Sequence, residues 1–407
     1  MLMVTRLKLP IQPLVKQMLD QLPADVWASS TSTFLDPAMG GGQFLAEIQA
    51  RLRAAGHSDS NIAERMYGCE ENILRVNYSR NNKKLVTKNL FVRNIFDHDW
   101  GSMKFDVIVG NPPYQDQTGQ NTIYPKFYAA MRPLLKSDGH MTMITPPAII
   151  PGLWGLKNPD GIRMPSPIQI SKIGMGKNIK NHFPGVGVDI CYWHLVNRHP
   201  DNTQVPVDVD GTTITASSPL FAKNACGNIS VTQSVINKCF SFNINAYSFT
   251  TGDHGRSAQA AKRSKDLAVE TISQDGTVKT RPIKWLRDHP HLNRPKLMLA
   301  MYGRAAVVDT SHRLVSAAQD RANNLTGHNV ITVLTNSDQE SFNLKALLES
   351  RLCSFFNTAT AETRSQYVNF LSNFRGVDIS RAWTDQQLYQ HFGLTQEEID
   401  LIETTAG

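Results

Sequence analysis

Hydrophobic and polar positions follow two different periods along the first half of the chain. Residues 11–22 (IQPLVKQMLDQL) carry apolar side chains at helical spacing, and Thr33, Phe34 and Leu35 form a short strand that ends at Asp36. Beyond a glycine turn, residues 43–54 read as a helix, 66–69 as a short strand ending at Glu70, and 73–84 as another helix. Phe105 to Val109 is a compact β-branched run ending in Gly110, and 123–135 sets Phe127, Met131, Leu134 and Leu135 on one helical face. Met141 to Ile144 gives one more strand, and 186–195 (VGVDICYWHL) alternates as the last of the series. Strands alternating with helices predict an α/β sheet with crossover connections, whose ligands lie outside the carboxyl ends of the strands.

The pattern changes between Asn197 and Asp210, where the chain is rich in Pro, Asp and Asn, so the domain boundary is placed near there. At roughly 150 residues per domain, 407 residues suit two to three domains, here 1–200 and 201–407. Residues 250–265 (TTGDHGRSAQAAKRSK) hold almost no large apolar side chain and read as a loop. Helices return at 343–356 and, as two short ones, at 384–403, where Thr395 and Glu398 have capping-box spacing.

With 41% apolar and 19% charged residues, the chain has ordinary globular composition. Its richest apolar stretch, 140–153, is broken by Pro146, Pro147 and Pro151, which argues against a membrane span. The first residues lack an apolar signal core. Five widely spaced cysteines (Cys69, Cys191, Cys226, Cys239, Cys353) form no CxxC pair, which argues against a zinc site or a disulfide framework and fits a reducing cytoplasm. No metal ligation is expected. The net charge of +7 conceals a basic middle: residues 221–330 hold 15 Lys and Arg against 7 Asp and Glu, while 331–407 hold 5 against 10. A basic segment suits a polyanion; a solvated face without a partner would carry the same charge.

Two constellations carry chemistry. In Asp36-Pro37-Ala38-Met39-Gly40-Gly41-Gly42-Gln43-Phe44, a strand end, a glycine turn and a helix start succeed one another, as in a loop that brings backbone N–H groups close to a ligand. A plain structural turn uses the same glycines. Glu70, at the next strand end, can accept both hydroxyls of a ribose, or be a surface glutamate. The second constellation, Gly110-Asn111-Pro112-Pro113-Tyr114, is more specific. Two prolines fix φ and leave the carbonyls around them free and aimed, Asn111 adds a side-chain acceptor, and Tyr114 a flat aromatic face. That set suits a planar substrate bearing an amino group; a polyproline ligand or an ordinary loop is the alternative.

With these residues the chain resembles the adenine-N6 DNA methyltransferases of bacterial and phage restriction-modification systems, in which a DPxxGxGxF motif binds S-adenosylmethionine and an NPPY motif holds the target amine. The resemblance covers residues 10–200 by motif. It implies a Rossmann-like, class I S-adenosylmethionine-dependent methyltransferase domain (α/β) followed by a C-terminal α+β target-recognition domain. It implies that Asp36, Ala38, Gly40 and Gly42 line the methionine part of the cofactor, with Pro37, Met39 and Phe44 also in the cofactor site, and that Glu70 holds its ribose. Asn94 falls where the family usually has an aspartate contacting the cofactor adenine, with Asp97 as the rival. Asn111, Pro112, Pro113 and Tyr114 would be catalytic, and Tyr114 and Phe183 would stack on a base flipped out of duplex DNA; a core phenylalanine is the other reading of Phe183. The basic stretch offers Arg256, Lys262, Arg263, Lys265, Lys284 and Arg287 to double-stranded DNA, and a cognate restriction endonuclease is an implied partner.

The same motif pair serves enzymes acting on RNA adenine and on protein glutamine, and a silent DNA-recognition subunit would keep the same fold. The basic second half favours DNA over glutamine, and the intact motifs favour an enzyme.

Overall fold

The computed structural model describes residues 12–116, 118, 121–155, 168–200, 204–224, 226–242, 244–247, 249–251, 268–272, 278–282, 296–300, 306–309, 330–360 and 366–406. They divide into two units, Met1–Pro219 and Leu220–Gly407.

In chain order the first unit has α1 (Gln12–Leu19), α2 (Ala24–Ala28), β1 (Phe34–Asp36), α3 (Gln43–Ala54), α4 (Asp59–Arg65), β2 (Met66–Glu70), α5 (Ile73–Asn82), β3 (Asn89–Val92), β4 (Phe105–Gly110) and α6 (Tyr124–Met131). It continues with β5 (Leu135–Thr145), α7 (Ile150–Leu153), β6 (Gln169–Met175), α8 (Lys177–Asn181), β7 (Cys191–Val196), β8 (Val205–Val209) and β9 (Thr212–Ala216). All nine strands join one sheet in the order β3-β2-β1-β4-β5-β7-β6-β8-β9. Strands β1 to β5 run parallel, and β7 enters antiparallel between β5 and β6. A parallel sheet that reverses its winding between β1 and β4 and takes a reversed β7 is the class I S-adenosylmethionine-dependent methyltransferase architecture the motifs imply.

The strands in the middle are buried on both faces, as strands covered by helices are: every residue of the parallel β1 and of the antiparallel β7 is buried. Leu14, Val15, Met18 and Leu19 of α1, and Phe44, Leu45, Ile48 and Leu52 of α3, close one face over Phe34, Val107 and Val109.

A histidine pair lies within the sheet, one ring half-buried and the other buried. His140 of β5 and His194 of β7 share a hydrogen bond of 3.1 Å, ring over ring. Burial presses both below the ordinary imidazole range, His194 to about 3. A buried neutral pair stabilises the fold above the unfolded pKa near 6.5, and that stability is lost as pH falls toward the folded value.

The sheet departs from the sequence reading in three places. The segment expected to be a domain boundary near residue 200 continues the sheet, because β8 pairs with β6 and turns back through Asp210-Gly211 into β9. Residues 186–190 are loop, and the last strand of the expected series begins only at Cys191. The helix expected over 123–135 stops at Met131, passes through one 3-10 turn and enters β5 at Leu135.

The second unit holds α9 (Ile229–Cys239), β10 (Phe249–Thr251), β11 (Ala268–Ile272), β12 (Val278–Pro282), β13 (Lys296–Ala300), β14 (Ala306–Asp309) and β15 (Val330–Leu334). Then come α10 (Asp338–Leu348), α11 (Arg351–Ala359), α12 (Gln366–Asn373), α13 (Asp385–His391) and α14 (Gln396–Thr405). An antiparallel sheet has the order β10-β15-β13-β14, and β11 and β12 form a hairpin, so the unit is α+β. The single helix expected over 343–356 is two, because Ser350 breaks the first and caps the second by accepting the Cys353 N–H. Phe240 stacks on Phe356 with ring centroids 3.8 Å apart, and Phe370 stacks on Phe374, which forms the helical core. Glu398 is buried yet ionised: desolvation pushes it up, but the Lys238 ammonium at 2.7 Å, Ser234 and its own cap hold it below the usual range. The Thr395 and Glu398 capping box is present as expected, and Thr384 with Gln387 forms a second. No helix among the described residues is long and apolar enough to cross a membrane.

Candidate active site

The chain leaves β1 toward β2 on one side, while β4 on the other side leads to β5, so a crevice opens where the two directions part. Both chemical motifs end there. After Asp36 the backbone turns through Pro37 to Gly42, and the Met39 N–H ties back to Cys69 O of β2 at 3.0 Å. Gly42 caps α3 with φ +77°, and a Cβ added to it would lie 2.9 Å from Ser79 Oγ and 3.2 Å from Leu85 Cδ1. Only glycine fits both restrictions. The twelve-residue helix that follows directs its unpaired N–H groups and positive end back into the crevice.

Two carboxyl groups flank this loop. Glu70 accepts from Gly40 N at 3.1 Å and from Asn72 N at 3.0 Å, with Arg75 at 3.6 Å behind it. Each oxygen keeps acceptor capacity toward the crevice. Asp36 is 1% exposed and accepts from Ala38 N at 3.1 Å. Burial raises its pKa from 3.8 to about 8, with the Glu70 charge adding to the rise and the Ala38 hydrogen bond opposing it. The folded protein therefore holds a proton that the unfolded chain gives up between those values. The stability this confers is complete below the unfolded value and is lost as pH rises toward 8. Asp36→Asn escapes that loss. In ligand-free protein, its melting temperature relative to wild type should therefore climb between about pH 5 and pH 8; a constant difference would show that Asp36 is ionised throughout.

The second motif abuts the first. A Cβ added to Gly110 would stand 3.1 Å from Asp36 Oδ1, so the strand that delivers Asn111 passes directly against the buried carboxyl. Pro112 is buried, while Asn111, Pro113 and Tyr114 are half-buried. The Tyr114 hydroxyl donates to Asn111 Oδ1 at 3.1 Å, and its ring packs on the core and meets Tyr124 edge-on. Burial pushes the Tyr114 phenol far up, so the hydroxyl keeps its proton. Beyond the motif, Ile123 N donates to Tyr114 O, Gln115 bridges Thr122, and Asp116 accepts from Thr118 and Asn121.

Asn94 and Asp97 stand just beyond β3, but the Asn94 side-chain oxygen is already the cap of the next turn, accepting from Phe96 N at 2.9 Å, and Asp97 is exposed. Phe183 is corrected: it is 1% exposed and lies in the core beside Ile179, Ile190 and Tyr192, so in this conformation its ring offers no face to a base. The loop after it is held by Lys180, whose ammonium donates to Val186 O and Val188 O. Arg256, Lys262, Arg263, Lys265, Lys284 and Arg287 lie outside the described residues. Exposed apolar side chains that sequence reasoning passed over, Ile73, Val92 and Phe96, stand at the carboxyl ends of β2 and β3, where a flat apolar ring could lie. Their signal was available: large apolar residues directly after a strand end, where solvated loops are polar. Among the described residues no group of three or more His, Cys, Asp or Glu could hold a metal ion.

Comparison with known proteins bears on this arrangement. Residues 45–157 match the family model of the Eco57I restriction-modification methylases. No curated protein matches. Solved structures similar to the chain include the type IIG restriction endonuclease BpuSI (10% identity over 98% of this chain and 60% of that one, TM-score 0.42). Others are the type IIL restriction-modification enzyme MmeI in complex with DNA (11%, 90% and 65%, TM-score 0.42) and a modification subunit of a type I restriction enzyme from Vibrio vulnificus YJ016 (16%, 52% and 50%, TM-score 0.38). The chain spans about half the length of that last protein. The stretch that is similar to that family takes in Glu70 and the whole Asn111–Tyr114 motif.

Proposed function

We propose that the protein is a site-specific DNA methyltransferase that moves a methyl group from S-adenosylmethionine to the N6 amino group of adenine. The observation that carries this reading is the meeting of the two motifs at one crevice, with Gly110 of the amine motif packed on Asp36 of the glycine loop. The donor set fits the cofactor: loop N–H groups and the start of α3 for a carboxylate, Asp36 as an oxygen acceptor for an ammonium group, Glu70 for ribose hydroxyls, and the apolar Ile73 and Phe96 for a purine ring. Bound there, S-adenosylmethionine supplies an electrophilic methyl group.

The exocyclic nitrogen of adenine is a poor nucleophile because its lone pair is delocalised into the ring. Asn111 Oδ1 and the Pro112 carbonyl, two acceptors on a backbone stiffened by two prolines, bind its hydrogens and draw the lone pair out of conjugation. Tyr114 stacks on the ring and offsets part of the base stacking lost when the nucleotide leaves the duplex. Positioning and preorganised dipoles then supply the acceleration. The family match and the charge excess of residues 221–330 support DNA as the polymer, residues 201–407 would choose the sequence, and a cognate restriction endonuclease would be a partner of the protein.

The test is transfer of labelled methyl to duplex DNA, followed by nucleoside analysis. N6-methyladenine is expected. Label found only in RNA or only in protein glutamine would replace the DNA reading with the corresponding alternative.

A further inference from the structure

We propose that the Tyr114 hydroxyl competes with the target amine for Asn111 Oδ1, so that entry of the base is an exchange of one donor for another at the same oxygen. This rests on the function proposed above. The oxygen that must receive an amine hydrogen is not open to solvent alone: an O–H from three residues further along the same chain already points at it, 3.1 Å away. An intramolecular donor has little entropy left to lose and outcompetes water for that site. A carbonyl oxygen that already accepts one hydrogen bond is a weaker acceptor for the next.

The hydroxyl cannot drift away with its backbone. Tyr114 O is held by Ile123 N at 3.1 Å, and the following residue is bridged to Thr122. Its ring is wedged between the core and Tyr124, and its oxygen lies on the ring axis, so spinning the ring leaves the oxygen where it is. Rotation about the Cα–Cβ bond moves the oxygen and re-aims the ring, whereas rotation about the phenol C–O bond swings the proton away and leaves the ring in place; either way the hydrogen bond to Asn111 Oδ1 is given up when the amine takes its place. A ring carrying an N–H in the amine position replaces the lost hydrogen bond; a ring without one leaves Asn111 unpaired.

Tyr114→Phe keeps the ring and its core contacts and removes only the donor. Two readings follow on the full chain. For duplex DNA containing the methylated site, kcat/KM is expected to rise roughly fivefold, the worth of one neutral hydrogen bond. With 2-aminopurine at the target position, which lacks the 6-amino group, the fluorescence that reports an unstacked base is expected to be higher with the variant than with wild type. A kcat/KM equal to or below that of wild type, or fluorescence no higher than with wild type, overturns the exchange and makes the hydroxyl an aid to Asn111. Failure of the underlying function looks different, since wild-type protein then forms no N6-methyladenine.

Discussion

Asn111→Ala protein should still bind S-adenosylmethionine with unchanged affinity but methylate DNA about 100- to 1000-fold more slowly, the usual effect of deleting one preorganised group that stabilises developing charge. The reasoning is local. Asn111 stands on the crevice side of Gly110, while the glycine loop and Glu70 hold their shape through bonds that do not involve it. The side-chain oxygen is the acceptor that pulls the amine out of conjugation, and a methyl group cannot replace it. Truncation also leaves the half-buried Tyr114 hydroxyl without its acceptor, so a small loss of melting temperature accompanies the loss of rate. Single-turnover transfer of labelled methyl, beside calorimetric titration of the cofactor, separates the two effects. If affinity for the cofactor falls in step with the rate, Asn111 belongs to the cofactor site.

Gly42→Val is the second large effect, and it acts on both stability and binding. A β-branched residue at φ +77° costs about 1–3 kcal/mol in backbone strain alone. The added Cβ would lie 2.9 Å from Ser79 Oγ and 3.1 Å from Ser79 Cβ. Ser79 cannot retreat freely, because its hydroxyl is bonded to Arg75 O and the residue is fully buried. With overpacking added, a total of about 3–5 kcal/mol lowers the melting temperature by roughly 6–20 °C for a unit of this size. The start of α3 shifts with the strain, and cofactor affinity should fall by more than tenfold. A variant that melts within about 2 °C of wild type would show that the loop has a second accessible conformation.

The parts of the fold that could be read from sequence are those in which one face or one period decides. Phe34-Leu35 and Val107-Ile108-Val109 are apolar runs closed by Asp36 and Gly110, and residues 43–54 have a helical stripe preceded by glycine, so each emerged at or within a residue of its place. β3 escaped because Asn89–Val92 is four residues with a single buried side chain, stabilised by pairing with β2 rather than by its own pattern. The β8–β9 hairpin escaped for a different reason. Val205, Val207 and Val209 alternate with Pro206 and Asp208, and Asp210-Gly211 is a strong two-residue turn with both φ values positive, yet the Asp, Asn and Pro content reads as a linker. Composition outweighed periodicity, and periodicity was the better guide. Motif spacing put Asp36, Glu70 and Asn111 to Tyr114 at strand ends, and the structure has each of them at such an end. Phe183 shows the limit: an aromatic residue beside a glycine-rich loop has the same letters whether it faces a ligand or the core.

The insertion of β7 between β5 and β6 has a consequence for synthesis. Met141 to Thr145 of β5 are wholly buried in the finished sheet, and their outer partner, Cys191 to Val196, is translated about fifty residues later. During that interval β5 presents a free apolar edge, and β6, although already made, cannot occupy it without blocking the proper arrangement. The Asn111–Tyr114 motif thus leaves the ribosome long before the sheet that fixes it can close.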